Sequence, residues 1–189
     1  MRKPSAILML TLALMFAAIS APRYKAFAEE IGAFKDTAGH WAESEIREAV
    51  KAGYVSGYED GTFKPERSVL RLEYLVMLVK LMQYPVAPAA NAGAWYDSYV
   101  DTAKDLNLVP EGMPAEAWKE RLTRSEMLRM AYGLTYPEEA SPAESDINEW
   151  ARAESLLNGG EGGVSGLEQT ATRAQTVVFL ERLRKLRSG

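Results

Sequence analysis

The 189-residue chain has no cysteine and one histidine. Without cysteine there can be no disulfide, thiolate nucleophile, iron–sulfur cluster, cysteine zinc site or lipidated N-terminal cysteine. One histidine, His40, cannot build a histidine-rich metal centre. The acids Glu59, Asp60 and Glu66 lack the alternating Asp/Asn ladder of a calcium loop. No Gly-Lys-Ser or Gly-Lys-Thr follows a glycine run, and Gly163-Val164-Ser165-Gly166-Leu167 ends on leucine where a nucleophile elbow needs glycine. No metal and no cofactor is implied. A membrane-length apolar run is missing too: the uncharged stretch Ala6 to Ile19 spans 14 residues, short of the roughly 18 that mark a spanning helix. What is present is ordinary for a globular chain, with 47% hydrophobic and 25% charged residues.

The first 28 residues read as an export signal. Arg2 and Lys3 form a basic start, Ala6 to Ile19 the apolar region, and Ala26-Phe27-Ala28 puts small residues where a signal peptidase inspects them, so the mature chain is expected to begin at Glu29. The alternative is an uncleaved anchor, because Pro22, Arg23 and Lys25 crowd the cleavage region. Removing Arg2, Lys3, Arg23 and Lys25, and no acid, leaves 18 basic against 26 acidic residues, a net charge of −8. Such a chain is a poor partner for nucleic acid, whose binding rests on neutralised phosphates. An anionic wall polymer would be repelled on average as well, so binding one would need locally placed cations.

Internal repeats organise the rest. A short polar string opens an apolar helix three times: Leu70-Arg71-Leu72-Glu73, Thr123-Arg124-Ser125-Glu126 and Thr172-Arg173-Ala174-Gln175, with arginines 53 and 49 residues apart. Leu72, Leu75, Val76, Val79 and Met82 then recur at helical spacing, as do Met127, Leu128, Ala131 and Leu134, and Val177, Leu180, Leu183 and Leu186. Each run predicts a helix with one buried face. Thr123 with Glu126 and Thr172 with Gln175 satisfy a capping box, whereas Leu70 has no hydroxyl, so the first of these helices is expected to start at Ser68 or fray. A shorter helix precedes each string. Trp41, Ile46, Ala49, Val50 and Gly53 mark the first, Gly53 as its stop; Trp95, Val100, Ala103 and Asn107 repeat those offsets; Trp150 and Ala153 align with Ile46 and Ala49. Between the helices of the first unit lies Gly57-Tyr58-Glu59-Asp60-Gly61-Thr62-Phe63-Lys64-Pro65, a turn-rich loop that its aromatics pin to the core.

These motifs carry a resemblance. Phe34-x-Asp36, Gly39-His40-Trp41-Ala42, the Gly53-to-Pro65 stretch and Arg71-x-Glu73 resemble an S-layer homology repeat, and the Thr-Arg-Ser-Glu and Thr-Arg-Ala-Gln strings are similar to that family's hallmark Thr-Arg-Ala-Glu. The resemblance divides the chain into a signal (1–28) and repeats at 34–83, 94–135 and 145–186. It implies a mainly α fold, with three helix–loop–helix repeats in a pseudo-threefold unit around a central helical bundle. It also implies noncovalent attachment to the bacterial cell wall, through a pyruvylated secondary cell-wall polysaccharide bound in grooves between repeats. By motif, Arg71, Arg124 and Arg173 are the cationic contacts, with Glu73, Glu126, Gln175, Gly57, Tyr58, Asp60 and Trp41 around them. Leu70, Gln175 and the missing loop motif in the second and third repeats depart from the family pattern.

Each candidate has a structural counterpart reading. The arginines suit a ketal-linked carboxylate, which a guanidinium grips in bidentate fashion beside a helix N-terminus; otherwise they pair with neighbouring acids. A tryptophan at fixed helical spacing points to core, which is the expectation for Trp41 and Trp95, with sugar stacking the alternative. Tyr58 and Asp60 either meet sugar hydroxyls or hold their own turn. His40, just before a helix, is expected to cap or pack. A small wall-active glycoside hydrolase and a homotypic surface-assembly module are the competing functions, but no pair of acids stands out for hydrolysis.

Overall fold

A computed structural model describes residues 34–86, 95–106, 108, 112–139, 141–157 and 166–188. The expected signal (1–28), Asn107 and the glycine-rich 159–165 stretch lie outside the described residues. The architecture is mainly α, with helices α1 (Glu43–Lys51), α2 (Arg71–Leu81), α3 (Asp97–Asp105), α4 (Arg124–Thr135), α5 (Glu144–Ala153) and α6 (Arg173–Ser188), and a 3-10 turn over Ala115–Lys119. Among the described residues, no helix is long and apolar enough to cross a membrane.

The longer helices α2, α4 and α6 begin at Arg71, Arg124 and Arg173. Thr123 Oγ1 accepts the Glu126 amide at 3.2 Å while Glu126 Oε2 accepts the Thr123 amide at 2.9 Å. Thr172 and Gln175 close the same box at 3.3 and 3.1 Å. At Leu70 only the reciprocal half forms, from the Leu70 amide to Glu73 Oε2 at 2.9 Å. That half, with an extended Leu70 (φ −83°, ψ 153°), is enough to start α2 at Arg71 rather than at Ser68. Gly53, at φ 80°, follows α1 as its left-handed stop.

A closed cycle of backbone bonds ties the segments leading into these helices. Val69 N–H donates to Ala171 C=O, Ala171 N–H to Leu122 C=O and Leu122 N–H to Val69 C=O, at 2.8–3.0 Å, and all three residues are fully buried. A second cycle surrounds it: the amides of Arg71, Arg124 and Arg173 donate to the carbonyls of Glu120, Gln169 and Arg67, each acceptor lying four residues before one of the arginines. Antiparallel bridges Ser68–Thr172, Leu70–Arg121 and Thr123–Thr170 describe the same closure. Buried backbone groups need partners, and here each segment satisfies the next.

The helices pack in the same rotation. α3 packs on α2, α5 on α4 and α1 on α6, so each short helix covers the long helix of the preceding segment, the last wrapping to the first. α2 also meets α6. The expectation of a single buried face fails for α2, where Tyr74, Met77 and Leu78 are buried along with Leu72, Leu75, Val76 and Val79, because α3, α6 and the 3-10 turn all pack on it. Met82 is only half-buried and Leu186, near the end of α6, is exposed. In the third segment Ala151, not Ala153, is the buried alanine. Ala49, Ala103 and Ala151 are fully buried and each precedes a buried residue, Tyr54, Leu108 or Leu156, by five positions, while Ala153 is exposed.

The first and last elements share a buried polar lock. Glu181 on α6, 1% exposed, accepts from Tyr54 Oη at 2.9 Å and from Arg184 Nη2 at 2.8 Å. Burial, followed by the adjacent carboxylate, pushes the Tyr54 hydroxyl far above its usual range.

Candidate functional site

The loop Gly57–Pro65 is built from local bonds. Asp36 accepts the amides of Phe63 and Lys64, both at 2.8 Å, and although burial pushes its carboxyl up, those amides hold it below the usual carboxylate range. Phe34 packs on Phe63 with centroids 5.4 Å apart. Gly57 is required for space: a Cβ there would lie 2.0 Å from Phe34 Cε1. Asp60 Oδ1 accepts the hydroxyl of Thr62 at 2.5 Å and its amide at 3.0 Å, and Oδ2 faces Lys64 Nζ at 3.1 Å. The Thr62 hydroxyl and then Lys64 lower its pKa to about 2. These bonds close the turn around Asp60.

Tyr58 is the hub of this loop. Lys64 Nζ lies 4.1 Å from its ring centroid, the Arg173 guanidinium carbon 4.9 Å and that of Arg67 5.7 Å. Its hydroxyl accepts from Arg67 Nη1, which also donates to Glu73 Oε1 at 2.7 Å. An open depression of about 490 Å³, lined by Gly57, Tyr58, Glu59, Asp60 and Lys64, adjoins the hub.

The three arginines of the repeated strings have different surroundings. Arg173 is 5% exposed; its Nε donates to Phe63 C=O at 2.9 Å and its Nη2 to Ser56 C=O at 2.8 Å, with the Phe63 ring 4.4 Å from the guanidinium carbon. Burial lowers its pKa from the usual arginine value, and its visible work is to buttress the Tyr58 loop. Arg71 is half-buried. Nε and Nη2 both donate to Glu126 Oε1, at 2.9 and 2.5 Å, and Nη1 to Glu120 Oε2 at 2.5 Å and Ala117 C=O at 3.1 Å. Glu126 responds: burial pushes its carboxyl up, but Arg71 and the Thr123 amide hold it below its usual value. Arg124 is half-buried at the start of α4, its amide bonded to Gln169 C=O.

The long-helix acids therefore divide their oxygens. One oxygen of Glu73 or Glu126 takes the cap amide and the other takes an arginine, Arg67 in the first case and Arg71 in the second. Gln175 takes the Thr172 amide with its only oxygen, leaving a donor where its counterparts present an acceptor.

Trp41 and Trp95 correct an expectation. Their helical spacing predicts core, yet they are 61% and 68% exposed. Each precedes its helix, where the periodic face has not begun, so Ile46 and Val100 enter the core and the indoles do not. Trp41 stacks loosely on His40 at 5.4 Å, and His40 accepts the Ala42 amide through Nδ1 while its Nε2 meets Glu66 Oε1 at 2.9 Å. His40 thus braces the chain just before α1 without capping the helix, and it ties Trp41 to the segment carrying Arg67. Sequence reasoning missed Arg67, Lys64 and Glu120; the available signal for Arg67 and Glu120 was their place four residues before a string arginine.

A family model described as S-layer homology domain matches residues 33–75. Over 162 residues, 76% of this chain and 19% of the relative, it is 27% identical to the S-layer protein EA1 of Bacillus anthracis. It is 31% identical over 86 residues to cell surface glycoprotein 1 of Acetivibrio thermocellus, covering 41% of this chain and 4% of the relative. A cellulosome-anchoring protein of the same organism is 39% identical over 49 residues, 26% of this chain and 11% of that protein. The chain thus spans under a fifth of the length of each of these relatives.

Proposed function

We propose that the chain is a noncatalytic cell-wall anchor, exported and held at the bacterial surface by a secondary cell-wall polysaccharide, with S-layer homology repeats at 34–83, 94–135 and 145–186 in a pseudo-threefold unit. The observation that carries the reading is the S-layer homology match at 33–75 taken with the closed hydrogen-bond cycles, which put Arg71, Arg124 and Arg173 at corresponding places. In a chain of net charge −8 after signal removal, an anionic polymer must be met by a few sheltered cations.

In this reading Arg71 and Arg124 meet a pyruvyl carboxylate, which competes with Glu126 for the Arg71 fork, with Gln175 offering a donor near the corresponding place. Arg173 acts from below by holding the loop that presents Gly57, Tyr58 and Asp60. Trp41 offers an exposed ring for a sugar face, and Glu73 orients its neighbours. The test is binding of purified pyruvylated wall polymer to Arg71→Ala, Arg124→Ala and the double variant. A loss of about tenfold or more is expected if the contacts are desolvated ion pairs, with melting little changed at Arg124. Parent-like affinity in all three would reject the groove assignment.

A further inference from the structure

Four residues before each string arginine stands a residue whose carbonyl takes the amide of a string arginine from another unit: Glu120 for Arg71, Gln169 for Arg124 and Arg67 for Arg173. These corresponding positions carry an acid, a neutral amide and a cation. The third residue of the string that follows differs as well, being Glu126, Gln175 or Glu73. The backbone closure therefore sets two acids beside Arg71, two neutral amides at the matching positions for Arg124, and a cation with one acid at those for Arg173.

The Arg71 guanidinium shows the consequence. Nη1 donates to Glu120 Oε2 at 2.5 Å, and Nε and Nη2 donate to Glu126 Oε1 at 2.9 and 2.5 Å. Carboxylates so placed offer the guanidinium what the carboxylate of a ligand would offer it. Glu126 is tied into the cap of α4 by the Thr123 amide, whereas the Glu120 side chain is 65% exposed. An exposed carboxylate that reaches Nη1 marks this nitrogen as open to a carboxylate from solution, and it is the partner an incoming anion displaces at least cost. We infer that Glu120 is a specificity-determining residue that competes with the ligand: its carboxylate holds Arg71 Nη1 in place of an anion, a rivalry that Gln169 at the corresponding place cannot supply to Arg124. The inference rests on the proposed glycan-binding reading and adds to it the residue that makes its corresponding contacts unequal.

The test is a calorimetric titration of the chain with purified pyruvylated wall polymer and with the same polymer after removal of its pyruvate. Glu120→Gln is expected to tighten binding of the pyruvylated polymer about two- to fivefold, the scale of one exposed ion pair, and to leave the depyruvylated polymer unchanged. In the Arg71→Ala background the same substitution should change nothing, because the guanidinium it guards is gone. Glu116→Gln removes an equal charge from an acid that pairs with Lys119 in the neighbouring 3-10 turn, and it should bind like the parent. Parent-like or weaker binding by Glu120→Gln would overturn the inference. So would an equal gain from Glu116→Gln, a gain that survives Arg71→Ala, or an equal gain with depyruvylated polymer, since each means bulk charge rather than competition at Nη1. If Arg124→Ala loses the polymer while Glu120→Gln changes nothing, the competitor assignment alone fails. If the parent binds neither form of the polymer, the glycan reading fails and takes the inference with it.

Discussion

The Glu126 carboxylate accepts from three donors, two from the Arg71 guanidinium and the Thr123 amide, so removing Arg71 leaves a half-buried carboxylate short of its strongest partner. Arg71→Ala should cost about 1–3 kcal/mol at neutral pH, the range for a lost hydrogen bond to a charged group. The pH dependence follows from the direction of the shift. A Glu126 pKa held below its unfolded value adds stability that is present above that unfolded value and lost as pH falls through the folded one. Denaturant melts between pH 7 and pH 3 should therefore show a smaller acid loss in Arg71→Ala than in the parent; equal losses would mean the pair does not control the titration. At Gly57 the constraint is steric. A methyl group 2.0 Å from Phe34 Cε1 must displace the Phe34–Phe63 contact, and Gly57→Ala should cost about 1–3 kcal/mol by overpacking. Which arginines are spent internally was not legible in sequence: Arg71, Arg124 and Arg173 occupy matching strings, and Arg173 is buried against the Phe63 and Ser56 carbonyls, brought over from positions 110 and 117 residues away.

Helix starts were the most legible feature, because a capping box is a local bond between residues three apart and needs no tertiary partner. α4 and α6 begin where Thr123 and Thr172 say they should. α2 shows what the missing hydroxyl leaves out: Leu70 has nearly the same backbone angles as Thr123, φ −83° in both, but its side chain accepts nothing. Leu70→Thr should complete the box and raise stability by about 0.5–1 kcal/mol, read as a higher Tm. Thr123→Ala should lower it by about 1 kcal/mol. Trp41 and Trp95 escape the core because a repeated offset does not itself mark a buried face, and both residues stand outside the first helical turn. The central position of α2 did have a signal, the near-unbroken apolar run from Tyr74 to Val79, which an amphipathic surface helix does not show.

Across the whole molecule, periodicity tells which face of a helix is buried and not against what. The packing of each short helix on the preceding long one could not be read from the chain. It makes the segments interdependent: α1 is covered by α6, and the Tyr54–Glu181–Arg184 lock joins residues 127 apart. Deleting residues 145–189 removes α5 and α6, exposes the buried faces of α1, α2 and α4, and opens both hydrogen-bond cycles. Residues 29–144 should then lose the cooperative melt of the parent, because units of this size bury too little surface alone; an unchanged melt would reject the shared core. The central claim is that this assembly holds a wall polysaccharide. Its most direct measurement is cosedimentation of the chain with purified wall sacculi, before and after chemical removal of the secondary polysaccharide. The account predicts that the chain pellets with intact sacculi and stays in solution with stripped ones. Equal pelleting with both, or none with either, would contradict it.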